Sequence, residues 1–197
     1  AWTLEPFFKY FWRAWPNCPY RIEVVTNELK LPYENVVYLG KDKGFTTGLL
    51  KYVEGKSEPF LLILGDFILC DPDLDILGSA IKEVQRADVA MVRVHPSPGP
   101  SMPWKGADGN EHDLIGEVDP YSPNSTCLSP TIWKPQYIRE ITKSGRTAGQ
   151  FEGFGRNTLI GYPMHLLCTK NSALSPRNLI GRGMIAEETV EWMRNNP

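Results

Sequence analysis

Apolar positions along this chain fall into two rhythms, and their order outlines the elements. Leu4, Phe7, Phe8, Phe11 and Trp12, with Trp15, recur at helical spacing, so residues 3–14 are predicted to form an amphipathic helix that Pro16 ends. Arg21 to Thr26 reads as a strand, and Asn35 to Leu39 as a second, shorter one. Thr46 to Val53 reads as a helix with Thr46 or Thr47 as its cap. Phe60 to Leu64 is an unbroken apolar run between Ser57-Glu58-Pro59 and Gly65-Asp66. A continuous run suits a strand covered on both faces, so a strand over 60–66 is expected to end on an acid. Asp73 to Arg86 carries Leu74, Leu77, Ile81 and Val84 along one helical face, and Asp88 to Val94 reads as the next strand.

Beyond residue 94 the pattern breaks up. Residues 95–112 hold Pro96, Pro98, Gly99, Pro100, Pro103, Gly106 and Gly109, a density of breakers that argues against any regular element there. Short strands are expected at Leu114–Val118 and Cys127–Thr131, and a helix at Gln136–Lys143. A short helix is expected around Gly149–Gly155, a strand at Met164–Thr169 and a final helix at Ala186–Asn195. Helices alternating with strands predict an α/β sandwich with a largely parallel sheet, in one domain.

Composition excludes more than it identifies. The 197 residues carry a formal charge of −2 and hold 42% apolar and 22% charged residues, so nothing electrostatic recommends a nucleic-acid partner. No apolar run is long enough to be a transmembrane segment, and no signal peptide is visible. Cys18, Cys70, Cys127 and Cys168 are widely spaced and read as thiols of a reducing compartment, which implies a cytoplasmic location. Abundant aromatics with 17 Pro and 17 Gly suit long ordered loops with aromatic contacts, a composition compatible with a sugar-binding cleft.

Candidate chemistry starts at Asp66. Ligands of open α/β sheets bind at the carboxyl ends of the strands, where Asp66 is expected. A carboxylate there can hold Mg²⁺ or Mn²⁺ against a diphosphate. The alternative is a turn at Asp66 with Asp73 or Asp75 capping the next helix. Gly40 to Gly48 mixes glycines, Lys41, Lys43, Thr46 and Thr47 ahead of a helix, which suits either a donor-contact loop or an ordinary capping turn. Trp133 is either a sugar-stacking platform or core, and Trp104 either touches an acceptor or pins its loop. Glu111, His112 and Asp113 are adjacent and point apart, so they are assigned to the surface.

Five stretches, in order, carry a family resemblance. They are Trp12-Arg-Ala-Trp-Pro-Asn-Cys-Pro-Tyr20 leading to Thr26-Asn27, the run 59–69, Leu128-Ser-Pro-Thr-Ile-Trp133, Gln150-Phe151-Glu152, and Ile180-Gly-Arg-Gly-Met-Ile-Ala-Glu-Glu188. In this ordered set the chain resembles a family of GT-A-type glycosyltransferases found among capsule and lipopolysaccharide biosynthesis proteins. The resemblance implies a nucleotide-sugar donor, a divalent cation, and a glycan or lipid-linked acceptor. It implies a single GT-A-like domain over 1–197, a three-layer sandwich with a mostly parallel sheet, without its first nucleotide-binding strand. On it, Asp66 would lie at the metal-diphosphate site and Glu152 would be the general base. Lys41, Lys43 and Arg156 would help offset the charge of the departing diphosphate, while Thr46 and Thr47 as donor contacts and Trp104 and Trp133 as acceptor contacts rest on the residues themselves. The family-type acidic pair is Gly65-Asp66 here. That substitution keeps open a non-catalytic nucleotide-sugar or glycan-binding module with an eroded metal site.

Overall fold

The structure is a computed structural model that describes residues 2–122, 125–154, 163–181 and 183–197. Helix α1, Leu4–Ala14, is followed by the parallel pair β1, Val24–Thr26, and β2, Val36–Tyr38. Helix α2, Phe45–Val53, leads to β3, Phe60–Leu62, and β4, Phe67–Cys70. The expected strand at 60–66 is thus two strands with a turn at Gly65-Asp66 between them. Helix α3, Leu74–Val84, starts at Asp73, whose carboxylate accepts from the N–H groups of Asp75 and Ile76, so the capping alternative holds for Asp73. Such a cap is worth about 1 kcal/mol.

Strand β5, Val89–Arg93, is followed by β6, Met102–Lys105, and β7, Glu111–Glu117. A regular hairpin therefore begins inside the breaker-rich stretch and runs past it, its second strand covering most of the strand expected at Leu114–Val118; Pro103 is accommodated where its register shifts, on the outermost strand. Then come β8, Thr131–Trp133, α4, Pro135–Ile141, and α5, Ala148–Phe154. Strands β9, His165–Thr169, β10, Ser175–Asn178, β11, Ile180–Gly181, and β12, Met184–Ile185, precede α6, Glu187–Asn195.

The main sheet has six strands in the order β3-β8-β5-β9-β7-β6. Only β5 and β9 run parallel; every other pairing is antiparallel. This overturns the mostly parallel GT-A-like sandwich expected from the sequence. The apolar run Val89–Val94 is buried and Phe60–Leu64 is partly buried against clusters on both faces, which is indifferent to strand direction. Direction is set instead by β8, inserted in reverse between β3 and β5, and by the β6–β7 hairpin.

Helices cover both faces, and alternate residues of the central strands part between them. Val92, Ile132 and Leu167 pack with Phe7 and Phe11 of α1 and Leu77 and Ala80 of α3. Met91, Trp133, Leu166 and Cys168 pack with Leu49 and Val53 of α2, Tyr137 and Ile138 of α4 and Phe151 of α5. A third cluster joins Tyr10 and Ile68 to Leu179 and α6. Gly116 of β7 is needed for packing: a Cβ there would lie 2.7 Å from Pro100 Cβ and 2.9 Å from the Met102 carbonyl. No helix among the described residues is long and apolar enough to cross a membrane.

Candidate functional site

Strand register brings the ends of β3 and β8 to one rim of the sheet; Asp66 follows β3 on the α1 side, where a Cβ on Gly65 would meet Leu4, and Glu152 lies on α5, which packs with α2 and α4. Leu62 of β3 pairs with Thr131 of β8, which in turn pairs with Arg93 of β5. The chain leaving β3 toward Asp66 and the chain entering β8 from Leu128 therefore share the end of the sheet where β5 and β9 finish. Glu152, on α5, reaches the second of these chains. Its carboxylate accepts from the N–H of Leu128 at 2.7 Å, while Thr126 donates its hydroxyl to the Phe151 carbonyl at 3.1 Å. Leu128 is buried, so Glu152 satisfies a donor that water does not reach. One carboxylate oxygen is fixed this way, which orients the other.

Asp66 is half-buried in the turn between β3 and β4, and its carbonyl accepts from Leu179 N–H at 2.7 Å. Burial pushes its carboxyl above the ordinary range, against the smaller opposing effect of a hydrogen bond from its own backbone. Asp71, Asp73 and Asp75 are exposed, and Asp73 is committed to its cap. Among the described residues no three His, Cys, Asp or Glu side chains gather where they could hold a metal ion. Asp66 would accordingly bring a single carboxylate to any cation held there.

The sequence did not single out the groups beneath this rim. Arg93 ends β5 with its side chain completely buried, donating to the carbonyls of Pro98 at 2.7 Å and Ser125 at 3.1 Å. The one signal was a lone cation inside the apolar run Val89 to Val94. His95 follows it, with Nδ1 2.8 Å from Ser172 Oγ. Ser172 donates its own proton to the Leu174 carbonyl at 2.8 Å, so His95 donates through Nδ1 and keeps Nε2 as an acceptor. Burial and, secondarily, the Arg93 charge hold the His95 pKa below its usual value, favouring the neutral ring. Burial raises the Cys127 thiol pKa, which Arg93 lowers and Glu152 raises, so both charges act at this rim.

The remaining expected site residues are placed differently. Lys41 and Lys43 are exposed ahead of α2. Gly44, not a threonine, begins that helix; its φ of +97° and the 3.3 Å a Cβ would have to the Arg146 carbonyl both require glycine. Thr46 is fully buried, donating to the Lys143 carbonyl at 2.8 Å and accepting from Arg146 N–H at 2.8 Å. Thr47 accepts from Gly145 N–H at 2.9 Å and lies 2.8 Å from Ser144 Oγ. Both hydroxyls thus clamp α2 to the 143–146 loop, and neither stands open to a donor phosphate. Trp133 is wholly buried and stacks on Tyr137, so its ring offers no face to an acceptor. Trp104 is 5% exposed; its indole N–H donates to Glu83 at 2.7 Å and Arg86 covers its ring, so it pins β6 to α3. Arg156 lies outside the described residues.

All four cysteines are free thiols. Set against known proteins, the chain matches no family model, and no curated protein matches it.

Proposed function

We propose that this chain transfers a sugar from a nucleotide-diphosphate donor to a hydroxyl of a glycan or lipid-linked acceptor, in the cytoplasm where activated sugars are made. The observation that supports this reading is the common rim: the Leu62–Thr131 register with the Glu152–Leu128 hydrogen bond brings the Glu152 carboxylate to the sheet end from which Asp66 departs. In this reading the acceptor hydroxyl gives its proton to Glu152 as its oxygen attacks the anomeric carbon, and the bond from that carbon to the diphosphate oxygen breaks. A positioned base of this kind supplies about 10²–10⁴ in rate. Asp66 is the residue that would hold Mg²⁺ or Mn²⁺, whose charge offsets that of the departing diphosphate when bound. Exposed Lys41 and Lys43 are donor-side cations in this reading.

A second reading has its own support. Gly65 leaves Asp66 without a neighbouring acid, and the Thr46 and Thr47 hydroxyls are engaged internally. Both features suit a non-catalytic nucleotide-sugar or glycan-binding module. Thermal unfolding with UDP-, GDP- and dTDP-sugars, with and without Mn²⁺, separates the two. At a hundred times Kd, a bound donor adds about 2.7 kcal/mol, or roughly 5–10 °C in Tm. Mn²⁺-dependent stabilisation with release of nucleoside diphosphate is expected for the transferase. Metal-independent stabilisation without turnover identifies the module, and no shift with any donor contradicts both.

A further inference from the structure

A large cavity, lined by neither Asp66 nor Glu152, lies between two sheet edges. It measures about 1150 Å³ and is bordered by Val24, Val25 and Thr26 of β1 on one side and Phe60, Leu61 and Leu62 of β3 on the other. No residue of β2 reaches it, so β1 turns its outer edge to the cavity. Hydrogen bonding agrees. Val24 N–H donates to the Asn35 carbonyl and Leu39 N–H to the Thr26 carbonyl, so residues 24 and 26 address β2. The alternation of strand backbone then directs the N–H and C=O of Val25 into the cavity. Strand β3 is the last strand of the six-stranded sheet and pairs only with β8 among the described residues.

Among the described residues two unpaired strand edges thus face one space, whose inner walls are apolar and whose border carries Arg21, Glu23, Asp42, Lys56 and Glu58. Phe7 and Phe11 of α1 and Leu77 of α3 close one side, Leu49 and Tyr52 of α2 the other. At its border Glu23 accepts from Tyr52 at 3.0 Å and from Lys56 at 3.1 Å, and it pairs with Arg21. The volume exceeds the roughly 300–1,000 Å³ of ordinary small-molecule sites. A small apolar ligand would fill the space and leave both rows of N–H and C=O groups unanswered. An extended backbone answers both at once, because it presents donors and acceptors along its two edges and side chains alternately above and below.

We propose that this groove is a strand-acceptor site: it binds an extended, apolar, β-branched peptide segment that adds between β1 and β3 and joins the two-stranded and six-stranded sheets into one. The side chains of the added strand alternate between the α1–α3 wall and the α2 wall. The site is independent of the sugar-transfer reading.

The test uses a soluble peptide with alternating valine and isoleucine at its centre and lysines at its ends. Its partner is the same peptide N-methylated at alternate central residues, which keeps the apolar surface and removes strand pairing. Tryptophan fluorescence reports binding, since Trp15 lines the groove, and amide hydrogen exchange reports pairing. The expected result is at least tenfold tighter binding of the unmodified peptide, with exchange at Val25 and in residues 60–62 slowed at least tenfold. Val25→Pro, which removes an N–H that β2 does not use, is expected to fold and to lose peptide binding at least tenfold. Equal binding of the two peptides overturns the proposal, because the groove then takes apolar matter without pairing. So does absence of peptide binding, with or without binding of dodecanoate. Protection of the same amides that rises with protein concentration and without peptide also overturns it, and assigns the edges to a second copy of this chain.

Discussion

Replacing Glu152 separates its structural contact from its proposed chemistry. Its carboxylate accepts from Leu128 N–H at 2.7 Å, and Leu128 is only 3% exposed. Glu152→Ala removes the acceptor and leaves that donor buried without a partner, at a cost of about 1–3 kcal/mol. For a chain of this length, that lowers Tm by roughly 2–10 °C. Glu152→Gln retains an oxygen in the same place and gives up only the charge on the acceptor, so its cost stays below about 1 kcal/mol. The amide cannot take a proton at neutral pH, so turnover falls by about 10²–10⁴ while donor binding persists. Differential scanning calorimetry and nucleoside-diphosphate release, run on both variants, read the two effects independently. A Gln variant as unstable as the Ala variant refutes the Leu128 contact as the stabilising one. A Gln variant with full turnover refutes Glu152 as the base.

Three further outcomes are expected. Thr46→Val keeps the shape of a fully buried side chain but removes the hydroxyl that donates to the Lys143 carbonyl and accepts from Arg146 N–H; Tm should fall by roughly 2–10 °C with faster amide exchange at Arg146. Gly116→Ala drives a Cβ to within 2.9 Å of the Met102 carbonyl, so a loss of about 1–3 kcal/mol is expected in urea unfolding. For Asp66, burial raises the folded-state pKa, so its protonated form favours folding. That contribution is present below the unfolded-state pKa and is lost as pH rises through the folded value. Asp66→Asn should flatten the stability–pH curve there. Mn²⁺ affinity of the wild type should rise with pH to a plateau reached above the usual carboxylate range, and the variant should show no such rise.

Elements with strong periodicity were legible in the sequence. The aromatic spacing of Leu4 to Trp12 gave α1 within a residue or two, and the Leu74-Leu77-Ile81-Val84 face with Asp73 ahead of it gave α3 and its cap. These signals are local, and local physics decides them. Strand direction was not legible. Phe60–Leu64 is apolar because helices lie on both sides of it, and that remains true whichever way its neighbours run. Nor was strand β6, which carries Pro103 where the register shifts, although most of its partner β7 was expected at Leu114–Val118.

At the candidate site, residue type was legible and environment was not. Thr46 and Thr47 have the composition of a phosphate-binding turn, yet a loop a hundred residues away in sequence takes their hydroxyls. Trp133 and Trp104 looked like sugar platforms, but packing on Tyr137 and hydrogen bonding to Glu83 decide their roles. Arg93 and His95 escaped notice because their significance arises from burial beneath the rim, which only the fold creates. Glu152 gained a role the sequence did not suggest, as the acceptor for Leu128.

In the proposed sugar transfer, Asp66 and Glu152 serve one donor-sugar site. Release of nucleoside diphosphate from UDP-, GDP- and dTDP-sugars with Mn²⁺, compared between wild type, Asp66→Asn and Glu152→Gln, addresses this most directly. The account predicts release by the wild type with at least one donor, a large loss of metal-dependent donor binding in Asp66→Asn, and retained binding without release in Glu152→Gln. Absence of release from every donor, or release left unchanged by both substitutions, contradicts it.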